Sequence, residues 1–273
     1  MIELLVARQA AVLIASALGA YTDAKTGYIY DWITLPLIAI GLALNVVEQN
    51  FFGILIGAAI FAAGYAFYFT GKFGGGDVKL FAGIAMAIPF QGGTLFIFPV
   101  VLFAALGAVV FYGTLYTLKY ARKGIKWKDN EKGVRRALLM GALMAIYFLV
   151  LLQAGFVSFS YTAFFAVPLL FALAFLALEN GIRKEFFLKR IPVKELEEDE
   201  IIAFDFMGEQ EREKFPKIRG IIGTKEIKWL GEKGFREIPV YRNLPRFGPF
   251  IFLGVLIAIA LPNAVMFVMG GGA

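Results

Sequence analysis

The sequence predicts an all-α polytopic membrane protein of six to eight transmembrane helices, with a small cytoplasmic α+β insertion before the last helix. Three observations predict it. Hydrophobic residues make up 59% of the 273-residue chain, against about 45–50% in soluble domains. The apolar residues fall into stretches close to the ~20 that cross a bilayer. The 27 Lys and Arg residues outnumber the 21 Asp and Glu, and they crowd into alternate loops, as the positive-inside rule requires.

The first span runs from about Ile2 to Tyr21; Arg8 within it, and no small-residue cleavage site after it, mark a retained helix rather than a signal peptide. The second covers Trp32–Val47 and the third Phe51–Thr70. After a glycine cluster comes a short apolar piece, Val78–Phe90, which reads as a short crossing or half of a bent one, then a break at Pro89–Gly93. Thr94–Leu118, Ala137–Leu152, Tyr161–Leu178 and Phe247–Met269 complete the set. If the short piece crosses, the basic loop Lys119–Arg136 falls on the same side as Thr22–Tyr30, Gly71–Asp77 and the segment from Glu179 to Arg246, and that side is cytoplasmic. Residues 1–180 thus form a transmembrane core, 181–246 a soluble insertion and 247–273 the last span. Within the insertion, short β-prone runs appear at Ile201–Phe206, Ile218–Ile222 and Phe235–Tyr241.

The chain has no histidine and no cysteine. That excludes thiol nucleophiles, imidazole bases, Ser-His-Asp triads and His/Cys metal sites. Acid–base chemistry falls to carboxylates, Lys or Tyr with shifted pKa values, and the carboxylates are costly at membrane depth and so worth locating first. Glu3, Glu48 and Glu179 sit where spans meet water. Asp23 ends the first span and Asp77 begins the helix after the glycines, so the two lie at one depth on the cytoplasmic side. Each also has a bland reading: Asp77 after Gly76, and Asp31 before Trp32, are good helix N-caps, and Asp23 can simply mark the end of a span. Glycines 74 to 76 lack the Lys-Ser/Thr of a phosphate loop, and neither Asp23 nor Asp77 has a local carboxylate partner for a metal.

Gly74-Gly75-Gly76-Asp77 has the GxGD pattern of membrane aspartyl proteases, and its continuation Val78-Lys79-Leu80-Phe81-Ala82 resembles that of type IV prepilin peptidases and archaeal preflagellin peptidases. Asp23-Ala24-Lys25-Thr26, then Asp31, Thr34 and Pro36, resemble the segment holding those families' first aspartate, and Phe247-Gly248-Pro249-Phe250 resembles a motif opening their last span. The resemblance implies that Asp23 and Asp77 are a catalytic pair, with Gly74, Gly76 and Lys79 at the substrate approach and Lys25, Thr26, Asp31, Pro36, Gly248 and Pro249 in supporting motifs. It implies no metal and no cofactor. The implied substrates are archaellin or type IV pilin-like precursors, cut at the cytoplasmic surface of the plasma membrane; the partners are those precursors and the lipid bilayer, not nucleic acid. Tyr30 replaces the usual Pro, and the chain lacks the cysteine-rich segment tied to methylation in bacterial enzymes, so a peptidase without methyltransferase activity is expected. The presenilin branch is disfavoured, because Tyr21-Thr22-Asp23 replaces its Tyr-Asp and no Pro-Ala-Leu follows. The helix ends suggest that Asp77, at an N-terminus, carries the charge of the pair, and Asp23, at a C-terminus, the proton. The alternative from another class is a proton- or cation-coupled transporter using the same carboxylates.

Overall fold

A computed structural model describes residues 2–71, 73–198, 200–208, 212 and 221–263. Its helices are α1 (Ile2–Thr26), α2 (Asp31–Val47), α3 (Phe51–Phe69), α4 (Gly75–Ala87), α5 (Ile97–Lys123), α6 (Trp127–Gln153), α7 (Phe159–Ile182), α8 (Thr224–Glu232) and α9 (Gly248–Ala260). Five of these, α1, α3, α5, α6 and α7, are long and apolar enough to cross a membrane, and α2 and α9 are shorter apolar helices. The protein is a polytopic membrane protein.

The short helix α4 forms the core of the first half. Val78, Leu80, Phe81, Ala82, Ile84, Ala85 and Ala87 are all buried, whereas most of the neighbouring helices' surface faces outward. Gly41 of α2 packs on the backbone of Ala87, and Gly57 and Gly64 of α3 on Met86 and Val78. Small residues at these points let the backbones approach closely, which supplies the packing that lipid-exposed helices otherwise lack. The contacts also set direction. Along α1, Gly19 meets Leu80 and Arg8 meets Ala87, so α4 runs antiparallel to α1 and covers the same depth. It has 13 residues and is about 20 Å long, shorter than the hydrocarbon core of a bilayer.

Such a short helix ends while still inside protein, and its last carbonyls need donors. Arg8 and Asn45 provide them: Arg8 donates to the Ala87 carbonyl and Asn45 Nδ2 to that of Met86 at 2.8 Å. Arg8 in turn pairs with Glu48 at 2.8 Å. The chain then reverses through a two-stranded hairpin, β1 (Phe90–Gln91) and β2 (Thr94–Leu95), in which Gly92 and Gly93 take φ of +59° and +76°, as a type I′ turn demands.

Beyond it, α5 lies antiparallel to α9, with Gly254 against the Val100 carbonyl and Gly107 against Phe250. Asn130 of α6 is fully buried and ties three helices, donating to Tyr120 Oη of α5 at 3.1 Å and accepting from the Gly181 amide of α7 at 2.9 Å. The basic stretch 119–136, expected as a loop, is mostly helix: α5 continues through Lys123 and α6 starts at Trp127. Lys and Arg are good helix formers, so the helices extend past the apolar zone and carry their charges into water.

After α7 the backbone widens over Arg183–Phe187 and enters a three-stranded antiparallel sheet in the order β3–β5–β4, formed by Leu188–Pro192, Glu237–Tyr241 and Ile201–Ile202. Ile191, Ile202, Ile222, Leu230 of α8, Ile238 and Val240 make its core. Two of the expected β-prone runs contain β4 and β5. Residues 218–220 of the third lie outside the described residues, and its Ile221 makes a single bridge to Ile201. Strand β3 was not anticipated, because Lys189 and Arg190 at its centre hide the alternation. The last span, expected over Phe247–Met269, is helical over Gly248–Ala260 with Leu261 as its C-cap, and the part beyond residue 263 lies outside the described residues.

Candidate active site

Helix α1 stops at Gly27, whose φ of +85° an L side chain would resist and whose amide closes on the Asp23 carbonyl at 2.8 Å. Asp23 therefore sits one turn before the end, buried. Its Oδ2 accepts the amide proton of Gly248 at 2.7 Å, from the first residue of α9 and 225 positions along the chain. A Cβ on Gly248 would lie 2.8 Å from Asp23 Cβ, so only glycine lets this amide come so near. The next residue, Pro249, lies in the first turn of α9, where the amide it lacks would have no partner within the helix.

Asp77 is the third residue of α4, half-buried, and the N-cap is Gly74 rather than Asp77. Its carboxylate turns back over Gly74 and lies within electrostatic range of Asp23. The structure thus brings together the two aspartates that sequence placed at one depth. It also places both beside a helix N-terminus, Asp77 at α4 and Asp23 at α9. The expectation that helix ends separate a charged Asp77 from a protonated Asp23 loses its basis, since it considered only the helix to which each residue belongs.

The supporting residues divide. Gly76 faces the Ile29 carbonyl, which a Cβ would approach to 2.6 Å, so its missing side chain admits the α1–α2 loop. Lys79 is engaged elsewhere, its ammonium 2.5 Å from Asp31 across the surface of α2; two residues from Asp77 on a helix, it points to a different face. Asp31 is the first residue of α2 and its N-cap is Tyr30, whose φ of −79° is one that proline also adopts. Thr26 donates to the Thr22 carbonyl at 2.8 Å, Lys25 lies exposed over the Tyr21 ring, and Pro36 is exposed on α2.

Two neighbours of the pair were not foreseen. Arg246 lies within electrostatic range of Asp23, and its guanidinium rests on Gly27. Tyr112 of α5 holds the backbone of Arg246. Arg246 directly precedes the Phe247-Gly248-Pro249-Phe250 segment, a position that could have drawn notice; nothing in the sequence marks Tyr112.

Residues 10–120 match the profile of the type IV leader peptidase family. The chain is 36% identical over 87 residues to the prepilin peptidase EppA of Methanothermobacter thermautotrophicus, a stretch covering 29% of this chain and 23% of that protein. No solved structure matches. The segment that matches the profile runs from within α1 into the last turns of α5 and includes both aspartates, so over that segment the chain is similar to the type IV leader peptidase family.

Proposed function

We propose that the protein is a membrane aspartyl endopeptidase that removes the basic leader of archaellin or type IV pilin-like precursors, with Asp23 and Asp77 as its catalytic pair. The observation that carries the reading is the placement of these two carboxylates, from separate helices, within electrostatic range of each other at one end of the bundle. That end also bears the basic residues of α5 and α6, which argues for the cytoplasmic face. A site there reaches the junction between a cationic leader in water and an apolar helix in the bilayer.

As a catalytic pair, one carboxylate works ionised while the other holds a proton. The ionised partner takes a proton from water as the water oxygen bonds to the scissile carbonyl carbon, while the protonated partner gives its proton to the carbonyl oxygen. Collapse of the resulting diol breaks the C–N bond, and the proton held by the first carboxylate passes to the leaving amine. The Gly248 amide fixes one oxygen of Asp23 throughout, and so limits the rotamers the pair explores.

The test is cleavage of an archaellin precursor and a type IV pilin-like precursor by membranes containing the protein, or its Asp23→Asn or Asp77→Asn form. Cleavage at the leader junction is expected from the wild type alone, with each substitution lowering the rate by at least about 10³-fold. Cleavage that survives either substitution refutes the pair. Proton flux in liposomes without cleavage would instead favour a transporter.

A further inference from the structure

Tyr112 makes an unusual use of one hydroxyl. It accepts the backbone N–H of Arg246 at 2.9 Å and donates to the backbone carbonyl of the same residue at 2.8 Å. Both backbone groups of a residue in a connecting segment are thereby fixed to a transmembrane helix. The tyrosine is itself wedged between Tyr116 and Phe250, with ring centroids 5.9 and 5.3 Å away, so the hydroxyl has little freedom to move.

The segment so held leads straight to Asp23. Two residues on, the Gly248 amide bonds the Asp23 carboxylate. Arg246 itself lays its guanidinium on Gly27, where a Cβ would collide with it. Residues 246–248 are thus fastened both to the end of α1 and to α5. On the other side, the Arg242 amide bonds the Phe187 carbonyl at 2.9 Å and its side chain pairs with Glu200, so the start of the connection is fastened to the sheet of the insertion. Any movement of that sheet relative to the helices would reach Gly248 unless the chain is arrested in between, and Tyr112 is the arrest.

We propose that Tyr112 and Arg246 are positioning residues for Asp23: Tyr112 holds the connection in place, and Arg246, seated on Gly27, sets a fixed positive charge beside the carboxylate. The proposal rests on the reading of Asp23 and Asp77 as the catalytic pair. Displacements of 1 Å at a reacting group cost on the order of 10²-fold in rate, so arresting the segment has a measurable value.

Four variants test it in the precursor-cleavage assay. Tyr112→Phe keeps the ring and loses both hydrogen bonds; kcat falls about tenfold while KM stays within about twofold. Arg246→Lys keeps the charge and retains most activity, whereas Arg246→Gln does not. Gly27→Ala fills the seat of the guanidinium and also strains the φ of +85° at the end of α1, so it is expected to lose at least as much as Arg246→Gln. A Tyr112→Phe enzyme with wild-type kcat, a change confined to KM, or equal losses in Arg246→Lys and Arg246→Gln each overturn the proposal. A second measurement does not depend on activity. Because the chain has no cysteine, Asp23→Cys introduces its sole thiol, buried beneath Gly248. Adding Tyr112→Phe is expected to raise its rate of alkylation about tenfold by loosening the cover; an unchanged rate overturns the proposal even if Asp23 proves not to be catalytic.

Discussion

Replacing the three glycines before Asp77 one at a time by alanine is expected to give three different outcomes. An alanine Cβ at Gly76 would lie 2.6 Å from the Ile29 carbonyl oxygen and 2.8 Å from Ile29 Cβ. An ordinary contact needs about 3.4 Å, so the loop and the start of α4 must part by roughly 0.8 Å. The obstacle is backbone, which cannot rotate aside. Overpacking of this kind costs about 1–3 kcal/mol, and the displacement falls one residue from Asp77, so kcat/KM should drop between about 10- and 100-fold. At Gly75 the nearest atom is Tyr68 Cε2 at 3.5 Å, an ordinary contact. Alanine there, in the first turn of α4, should keep the rate within about twofold and raise stability by up to about 1 kcal/mol. At Gly74 the only close neighbour among the described residues is the Asp77 carboxylate, 3.0 Å from the added carbon; the methyl group pushes the carboxylate and lowers kcat without lowering stability. The assay is precursor cleavage by the purified variants in detergent, paired with thermal unfolding followed by the fluorescence of Trp32, Trp127 and Trp229. Gly75→Ala proving as damaging as Gly76→Ala, or Gly76→Ala cleaving at the wild-type rate, would refute the reasoning that contact with Ile29 is what demands glycine.

Two further outcomes concern stability. Arg8→Met leaves the Ala87 carbonyl without its donor and Glu48 without its partner, and should cost about 2–4 kcal/mol, seen as a lower thermal midpoint; adding Glu48→Leu should recover part of the loss by removing the stranded charge. The Lys79–Asp31 pair is exposed, with 32% and 58% of the two side chains accessible. Asp31→Ala should therefore cost under about 1 kcal/mol, and 1 M salt should remove most of the difference.

The helices were legible because a run of apolar residues near bilayer length has few alternatives, and α4 was legible as a short apolar helix after the glycine cluster. Their ends were not. Charged residues at 119–123 and 127–136 read as loop by hydropathy, yet they continue α5 and α6, since hydropathy reports the membrane boundary and not the end of hydrogen bonding. In the insertion, β5 showed through its apolar residues, while β3 depends on pairing with a strand that lies 45 or more residues further along. Arg8 illustrates the same limit: in sequence it is a charge that a span tolerates, and its bond to the Ala87 carbonyl of α4 appears only when the two helices meet.

By itself the sequence determined the solvent in which this protein folds, the loops in which its cations gather, and the few carboxylates near span ends, Asp23 and Asp77 among them, that stand out in an apolar chain without histidine or cysteine. These follow from composition and local order, because burying charge in a bilayer is so costly that each exception is conspicuous. The tertiary structure alone decided what surrounds those carboxylates: that Asp23 takes its hydrogen bond from Gly248, that Arg246 rests on Gly27 under the hold of Tyr112, and that Gly76 makes room for Ile29. Those contacts join residues up to 225 positions apart and turn on differences of less than 1 Å in how helices approach, which no local pattern of residues records.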